Sequence, residues 1–571
     1  MTETVSFNLV DEPWILARRL DGRVTKESLR SVFEQAGELR ELVGDIPTQA
    51  FAILRVLLAI LERAVITADK FSDRDDPVEL WGELWQSKTL PLPEIISYLD
   101  HWRYRFDLFD RETPFMQVAD LRPYNPNNTE GGGLSRIIAD YPNRPERALF
   151  AMRNSRGIAA MTFAEAARWL IHAQAFDTGN NKSRAANDKV NSKNARGSAG
   201  FNTGWAGKIG GVFVDGSTLK DVLLFNLELD DPDDPYSLIT DKDLPCWESD
   251  PQPTAAYGDR PARGRADLYT WQSRRILLIH DETRVINVLL CPGDISNNVN
   301  TQRFEPMTIW KANSKGEYRP VVHDSSKTMW RSTTSFLSPK SPGVIRPGIV
   351  SWLCRLSSGR YNFLQAEHFI VLRGVGMSYE PKRHATVDDI VDDSLICRKE
   401  LLADANVGFL DELGGWIVDT EKAIKALGAL TFNLDIARGY FISDSDQRKR
   451  IERRKKREAY QIDLAYTMID QLFRPWLASL DPPAENASQL SVYTRNKRDE
   501  WYLKARSTIL MLGEMVIKEA GSQAYVGHGY SIGDKSEWMT SAQADIFFRT
   551  SLKKALPLST DETSTNDKEK S

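Results

Sequence analysis

The sequence RGSAGFNTGWAGKIGGVFVDG, residues Arg196–Gly216, places seven glycines among small residues. Only Phe201, Trp205 and Phe213 supply bulk, so the composition favours exposed backbone over packed side chains. Glycine permits positive φ angles and lets another molecule approach the main chain closely. The run immediately upstream, NNKSRAANDKVNSKNAR, is polar and basic. A basic loop that leads into a glycine loop indicates a surface for a phosphate-bearing ligand.

A purely structural explanation of this stretch stays open. Glycine clusters often form only tight turns between strands, and a polar asparagine-lysine run is usually a solvated loop. The strand-GxGxxG-helix order of a dinucleotide site is absent, because GWAGKIGG lacks that spacing and follows a polar loop. A GxxxxGKS/T phosphate loop is absent from the sequence as well.

Composition restricts the class of protein. A chain of 571 residues is too long for one ordinary core, so two or more domains are expected. The net charge of −5 argues against nucleic-acid binding over the whole surface but permits local basic patches. Four cysteines without metal-ligand spacing predict reduced thiols rather than a zinc site. The polar N-terminus and the short apolar runs predict a cytoplasmic protein that contacts no membrane. We expect no cofactor.

Hydrophobic periodicity predicts most of the elements. The expected strands are Phe7–Val10, Trp14–Arg18, Ile276–His280, Val285–Leu290 and Phe369–Val375. The expected helices are one that begins at Pro47 with one apolar face, then Phe163–Phe176, Ser217–Leu229, Glu412–Phe432, Gln447–Leu480, Arg495–Glu519 and Ser541–Leu556.

Strand signals vanish beyond about residue 385, where long amphipathic stretches take over. The sequence therefore predicts an α+β fold. It consists of a large mixed N-terminal domain over residues 1–385, followed by a C-terminal four-helix bundle over residues 386–557. Residues 558–571 lack apolar groups and are expected to form a disordered tail.

Two charged clusters have alternative interpretations. In VDDIVDDSL, residues Asp388, Asp389, Asp392 and Asp393 fall in i,i+4 pairs on one face of an assumed helix. They could hold Mg²⁺ for phosphodiester chemistry, or they could form a solvated helix start. The run RKRIERRKKR, Arg448–Arg457, has eight basic residues in ten positions. It is either a phosphate-attracting feature or a solvated helical arm.

Four separated segments, in chain order, carry a resemblance to a known family. They are FNLVDEPWILARRLDG, GDIPTQAFAILRVLLAIL, TPFMQV and the glycine stretch that precedes VFVDGSTLKDVLLFNL. Together they resemble the CasA family, the large subunits of the type I-E CRISPR Cascade complex. The resemblance implies a non-catalytic antiviral-defence subunit without catalytic residues. Such a subunit would recognise the protospacer-adjacent motif (PAM) in double-stranded DNA, promote opening of the duplex for guide-RNA pairing (the R-loop), and recruit the helicase-nuclease.

The resemblance also implies site residues. The DNA- and PAM-binding set is Phe201, Asn202, Thr203, Gly204, Arg303 and Lys311. The family's wedge, an Asn-Gln-Ala hairpin tip, corresponds to Arg383, His384 and Ala385. A first loop that touches DNA and the guide corresponds to Phe150, Arg153 and Asn154. The basic runs supply the residues for nonspecific DNA contact, which are Lys182, Arg184, Lys189, Lys193, Arg448, Arg453, Arg454 and Lys455.

Two other functions remain possible from the sequence. One is a metal-dependent nuclease that uses the Asp388–Asp393 cluster. The other is an assembly protein whose basic loops bind guide RNA. The expected partners of the favoured function are target DNA, guide RNA, the other Cascade subunits and the CRISPR helicase-nuclease.

Overall fold

The structure is a computed structural model that describes most of the chain. The described residues are 5–68, 76–124, 133–139, 158–179, 182–186, 202–229, 242–252, 259–296, 299–339, 342–357, 363–364, 369–381, 384, 386–403, 406–440, 447–483, 487–532 and 535–559. Within these blocks, the side chains of 447–451, 453–454, 487, 531–532 and 535–536 lie outside the description.

The described elements alternate between helix and strand up to residue 398 and are mainly helical afterwards. The helices are α1 (Leu29–Glu34), α2 (Pro47–Ile66), α3 (Pro77–Gln86), α4 (Leu92–Trp102), α5 (Phe163–Phe176), α6 (Leu219–Phe225), α7 (Arg265–Tyr269), α8 (Thr333–Leu337), α9 (Gly348–Ser357), α10 (Val407–Ala437), α11 (Gln447–Ala478), α12 (Ala487–Glu519), α13 (Gly521–Val526) and α14 (Ser541–Ala555).

The strands are short apart from one long pair. They are β1 (Ile15–Arg19), β2 (Val24–Glu27), β3 (Leu39–Val43), β4 (Gly211–Asp215), β5 (Asp259–Arg260), β6 (Arg274–His280), β7 (Val285–Pro292), β8 (Ile295–Ser296), β9 (Trp310–Ala312), β10 (Tyr318–Pro320), β11 (Val344–Ile345), β12 (Phe369–Tyr379), β13 (Val387–Arg398), β14 (His528–Ile532) and β15 (Lys535–Met539). Three three-stranded sheets have the orders β2-β1-β3, β10-β9-β11 and β13-β12-β4. The pairs β6-β7 and β14-β15 are antiparallel, and β5-β8 is parallel.

The chain divides into two compact units. The first comprises residues 1–329, 339–365 and 370–394, and the second comprises 330–338, 366–369 and 395–571. Both helix and strand occur in the first unit, whereas long helices dominate the second. The predicted α+β class is therefore confirmed. Among the described helices, we find none that is both long enough and apolar enough to cross a membrane.

Helix α2 is the central element of the first unit. Pro47 occupies its first turn, where the missing N–H costs no helical hydrogen bond. Nearly all of its residues are buried, and it contacts α4, α5, α7 and β3. The predicted helix is confirmed, but the prediction of a single apolar face is wrong. Its polar side is buried too, and there Arg55 and Glu62 each contact a counter-charge, Glu305 and Arg265 respectively.

Helices α10, α11, α12 and α14 make up most of the described part of the second unit. Helix α10 contacts α11, α12 and α14, and α12 also contacts α11 and α14. Three buried tryptophans fill the space between them: the Trp476 and Trp501 ring centroids are 4.9 Å apart, and those of Trp416 and Trp476 are 6.1 Å apart. The predicted loss of strands after residue 385 is wrong, because β13 begins at Val387 and the β14-β15 hairpin follows α13.

Two further sequence-based predictions are wrong. The first expected strand, Phe7–Val10, is a turn with one bridge from Asn8 to Asp107. The Asp388–Asp393 segment is strand β13 and not a helix. Asp388, Asp389 and Asp392 are exposed and Asp393 is half-buried, as suits charged side chains on β13, the edge strand of the β13-β12-β4 sheet.

Candidate nucleic-acid interface

The described part of the glycine stretch begins at Asn202 and packs into the first unit. Residues Trp205–Lys208 form one turn of 3₁₀ helix, and the chain then enters β4. Thr203 is buried, whereas Asn202 and Lys208 are half-buried. The surface of this segment, which we call the reading loop (Asn202–Lys208), therefore comes mainly from its two ends.

The glycines leave room for the protein's own atoms. A Cβ atom at Gly204 would lie 2.3 Å from the carbonyl oxygen of Ala175 at the end of α5. One at Gly207 would lie 2.3 Å from the hydroxyl of Tyr379. The interpretation of this stretch as exposed backbone is therefore wrong at both positions, because both are buried by internal packing.

Gly204→Ala is expected to lower the free energy of unfolding by about 1–3 kcal/mol, the usual cost of overpacking, because the new methyl would meet rigid backbone. The matched control is Gly415→Ala in α10, where a Cβ meets no atom within 4 Å. The control should be neutral or stabilising by up to about 1 kcal/mol, since alanine favours helix. Denaturant unfolding of both variants measures the difference, and equal midpoints would contradict the packing explanation.

A buried ion pair fixes the middle of the reading loop, at Trp205. Glu305 is fully buried and accepts hydrogen bonds from Nη1 and Nη2 of Arg55 at 2.9 and 2.7 Å. The same carboxylate accepts the indole N–H of Trp205 at 2.8 Å. Both charged groups are removed from water, so each depends on the other, and on its hydrogen bonds, for stabilisation. The shared carboxylate therefore holds the Trp205 indole in one position.

A second buried cluster lies behind Asn202. The Asp177 carboxylate, which directly follows α5, contacts Arg274 Nε and lies 2.8 Å from Lys182 Nζ. Arg274 Nη2 donates to the main-chain oxygens of Asn202 and Thr178 at 2.6 and 3.0 Å. The main chain of the reading loop is thus tied to the end of a buried helix.

This cluster changes the interpretation of Lys182. The sequence places Lys182 in a solvated basic loop that contacts DNA, but its side chain is 5% exposed and is engaged by Asp177. Burial lowers the pKa of Lys182 to about 8, although Asp177 opposes the shift. Burial alone would raise the pKa of Asp177, but Lys182 and Arg274 outweigh it and hold this pKa below its usual value. The prediction of a solvated Lys182 is wrong.

His384 lies at the exposed tip between β12 and β13. Its φ of 50° is in the left-handed region, which is unusual for a residue other than glycine. The tip is held by two backbone bonds: His384 N donates to Glu380 O at 2.9 Å, and Gly179 N donates to His384 O at 2.7 Å. The structure therefore brings the predicted wedge residue next to the segment that supports the reading loop.

Three other predicted contact residues lie on the first unit. Arg303 is exposed, and its guanidinium stands 4.5 Å from the Phe304 ring centroid. Lys311 is exposed on β9. Arg184 is half-buried, with its guanidinium 5.7 Å from the Tyr124 ring centroid. The segment from Arg303 to Lys311 is joined to β4 where Val212 N donates to Met307 O at 2.8 Å.

The basic run at the start of α11 belongs to the second unit. Lys455 is exposed. Arg457 contacts the buried carboxylate of Asp435, and its guanidinium lies 4.9 Å from the Tyr440 ring centroid. One end of the run thus anchors α11 to α10. The helical position of Arg448, Arg453 and Arg454 is described, but their side chains are not.

Several predicted site residues lie outside the described residues. They are Phe150, Arg153, Asn154, Lys189, Lys193, Phe201, Arg383 and Ala385.

The acidic cluster does not assemble as expected. Along a strand, residues four apart are separated by about 13 Å, too far to share one ion. Asp392 instead accepts from Arg373 Nη2 at 2.9 Å, and Asp393 accepts from the Met329 N–H at 2.7 Å. Among the described side chains, no group of three or more His, Cys, Asp or Glu could hold a metal ion. The nuclease interpretation loses its structural basis here.

Sequence reasoning missed the residues that hold the reading loop. Asp177 and Arg274 are 97 positions apart, and Arg55 and Glu305 are 250 apart, so no local pattern connects them. One local signal existed: Asp177 directly follows the predicted helix Phe163–Phe176, at the entrance to the basic run.

Comparisons with known proteins agree with this architecture. A curated relative, the CRISPR-associated protein CasA/Cse1 of Thermus thermophilus, is 28% identical over 346 residues, which span 59% of this chain and 61% of that relative's length. The crystal structure of Thermobifida fusca Cse1 is 35% identical, with a TM-score of 0.80 and coverage of 97% of this chain and 99% of that one. A chain of a solved CRISPR RNA-guided surveillance complex shares the fold at 17% identity, with a TM-score of 0.60 and coverage of 91% of this chain and 100% of that one.

A family model also matches most of the sequence. The model described as CRISPR-associated protein Cse1 matches residues 8–512. That range includes the reading loop, the hairpin tip, the first two long helices of the second unit and most of the third. The chain therefore belongs to the Cse1 family of CRISPR-associated proteins.

Proposed function

We propose that this chain is the non-catalytic large subunit of a type I-E Cascade surveillance complex. In that role it recognises the PAM in double-stranded DNA, promotes duplex opening for guide pairing and recruits the helicase-nuclease. Family membership, and the fold shared with a chain of a CRISPR RNA-guided surveillance complex, support assembly with guide RNA and other subunits. The observation that carries the DNA-binding part is that the exposed wedge candidate His384 lies beside the segment that supports the reading loop. The 2.7 Å hydrogen bond from Gly179 N to His384 O joins the two.

The reading loop suits a minor groove. That groove presents a degenerate pattern of acceptors, which polar side chains and the groove width can read without strict base identity. We assign the contact with the minor groove to Asn202 and the adjacent Phe201. The buried Thr203 and Gly204 would maintain the conformation of the loop. Arg303 and Lys311 are the proposed cations for the groove, because both are exposed on the segment joined to β4.

The hairpin tip supplies the wedge. Inserting a side chain into a base step costs a few kcal/mol of unstacking, so the inserted group must be rigidly supported. His384 has a flat ring on a backbone that is hydrogen-bonded on both sides. Arg383 and Ala385 complete the proposed wedge, and base pairing with the guide then reads the sequence.

Basic residues beyond the loop and tip would hold the phosphates. Such contacts are independent of sequence and weaken steeply with salt. The proposed set is Arg184, Lys189, Lys193, Arg448, Arg453, Arg454 and Lys455, without the buried Lys182. The proposed first-loop contacts to DNA and guide are Phe150, Arg153 and Asn154.

His384→Gly is expected to reduce duplex opening about tenfold or more and to change PAM-duplex binding much less, since the lost ring inserts only when bases separate. Glycine is the suitable replacement because it tolerates the left-handed backbone. The assay is R-loop formation by the complex reconstituted with guide RNA, next to duplex binding under the same salt.

His101→Gln is the matched control, since it removes an exposed imidazole from α4 in the same unit. Its R-loop yield should equal that of wild type. Unaltered R-loop yield in His384→Gly would remove the wedge assignment. Crosslinks to guide RNA alone, with none to the PAM duplex, would favour an assembly protein over the proposed function.

A further inference from the structure

Residues Phe176–Gly179, which we call the linker segment, lie between the reading loop and the hairpin tip. It consists of Phe176, the last residue of α5, and the three residues that follow the helix. It runs past two structures that are distant from it in sequence, and it makes hydrogen bonds to both. The chain thus has a physical connection between its proposed duplex-binding and strand-opening elements.

Main-chain groups form the connection to the reading loop. Gly204 N donates to Asp177 O at 2.9 Å. Arg274 Nη2 joins Thr178 O and Asn202 O by donating to both, at 3.0 and 2.6 Å. A displacement of Asn202 or Gly204 would therefore be transmitted to the linker segment through three hydrogen bonds.

Tyr379 forms part of the connection to the tip. It is the last residue of β12, it is 9% exposed, and its hydroxyl donates to Phe176 O at 2.7 Å. The same hydroxyl occupies the place of the missing Gly207 side chain, so it contacts the linker segment and the reading loop at once. Its ring meets the His384 ring edge to face, with centroids 6.2 Å apart.

The tip conformation depends on the linker segment. A left-handed backbone at a residue other than glycine costs about 1–3 kcal/mol and persists only where the surroundings enforce it. At His384 part of this enforcement is the bond from Gly179 N to His384 O. A shift of the linker segment would therefore change the equilibrium between the tip conformation with a left-handed His384 and a conformation in which that strain is released.

We propose that the linker segment and Tyr379 couple the two elements, so that a duplex bound at the reading loop stabilises the tip conformation that inserts His384. This proposal rests on the proposed function. Coupling of this kind is reciprocal between sites and typically changes affinities by about fivefold or more. Tyr379 is a positioning residue in this scheme, because it acts through the linker segment without touching DNA.

A double-mutant cycle tests the coupling. Asn202→Ala and His384→Gly, alone and combined, are compared for R-loop formation in the reconstituted complex, first with Tyr379 and then with Tyr379→Phe. With Tyr379, the combined effect should differ from the product of the single effects by about fivefold or more. With Tyr379→Phe, which lacks the hydroxyl but keeps the ring, the effects should multiply.

Tyr98→Phe is the control background, because it also removes a buried hydroxyl but one that contacts Glu248 and Trp247. In the Tyr98→Phe background the effects of Asn202→Ala and His384→Gly on R-loop formation should remain non-additive. Circular dichroism melting shows whether each background is folded. Multiplicative effects with Tyr379 present, or non-additivity unchanged by Tyr379→Phe, would overturn the coupling while leaving the function intact. A wild-type complex that neither binds nor opens PAM duplex would overturn the function, and the coupling with it.

Discussion

Glu305→Gln is expected to lower the free energy of unfolding of the first unit by about 3–5 kcal/mol, because it leaves the buried Arg55 cation without a counter-charge. Arg55 is 2% exposed and Glu305 is fully buried, so water cannot replace the lost charge. The amide introduced by this substitution can still accept a hydrogen bond from Trp205, but it cannot neutralise the guanidinium. The reading loop should loosen together with this core.

The measurement is denaturant unfolding, followed by tryptophan fluorescence. The double variant Arg55→Met with Glu305→Leu removes both charges and should recover most of the loss, leaving about 1–3 kcal/mol for the unsatisfied indole of Trp205. Glu500→Gln is the surface control, since Glu500 pairs with Lys497 and Lys504 at a partly exposed position. It should change stability by less than about 1 kcal/mol. A double variant as unstable as Glu305→Gln would show that charge is not the cause.

Local patterns were sufficient where local forces decide the structure. Helix α5 has the predicted bounds, because Thr162 caps its N-terminus by accepting from Glu165 N, and its apolar spacing continues to Phe176. The β6-β7 hairpin follows from two aliphatic runs around a turn in which Asp281 accepts from Thr283 N and Arg284 N. In such elements the cap or turn and the hydrophobic period agree, so sequence alone predicts them.

Long-range partners decided the features that sequence could not predict. The Asp388–Asp393 pattern fits a helix as well as a strand, and only the place of β13 beside β12 selects the strand. Lys182 has the local sequence of a solvated loop, yet the fold buries it against Asp177, which Arg274 also contacts. The sequence marks the glycines of the reading loop as unusual, but it does not show why glycine is needed there. The reason is the close approach of Ala175 to Gly204 and of Tyr379 to Gly207, which leaves no room for a side chain.

Asp177→Asn should destabilise the supports of the reading loop by about 3–5 kcal/mol near neutral pH, since two buried cations lose the carboxylate that both contact. Arg274 and Lys182 are 4% and 5% exposed, so neither can turn to water without moving the chain. Because Arg274 holds Asn202 O and Thr178 O, the disturbance reaches the loop main chain directly. PAM-duplex binding should therefore fall together with stability.

The deficit should depend on pH in a defined direction. The folded-state pKa of Lys182, about 8, lies below its usual value of 10.5, so between these values the unfolded state holds a proton that the folded state lacks. The free energy of unfolding consequently rises with pH across that window. Without Asp177 the folded-state pKa of Lys182 falls further, so the rise in the free energy of unfolding begins at a lower pH. The deficit relative to wild type should thus be largest near about pH 6 and smaller near about pH 9.

Unfolding measured across this pH range for wild type, Asp177→Asn and Asp177→Asn with Lys182→Met separates the two cations. The double variant has no titrating ammonium, so its deficit relative to Lys182→Met alone should be constant with pH and should reflect Arg274, whose guanidinium stays charged throughout. A deficit in Asp177→Asn that stays constant from low to high pH would contradict the pairing of Lys182. If that deficit shrinks as the pH rises while duplex binding recovers in parallel, duplex binding depends on the charge balance of the Asp177 cluster.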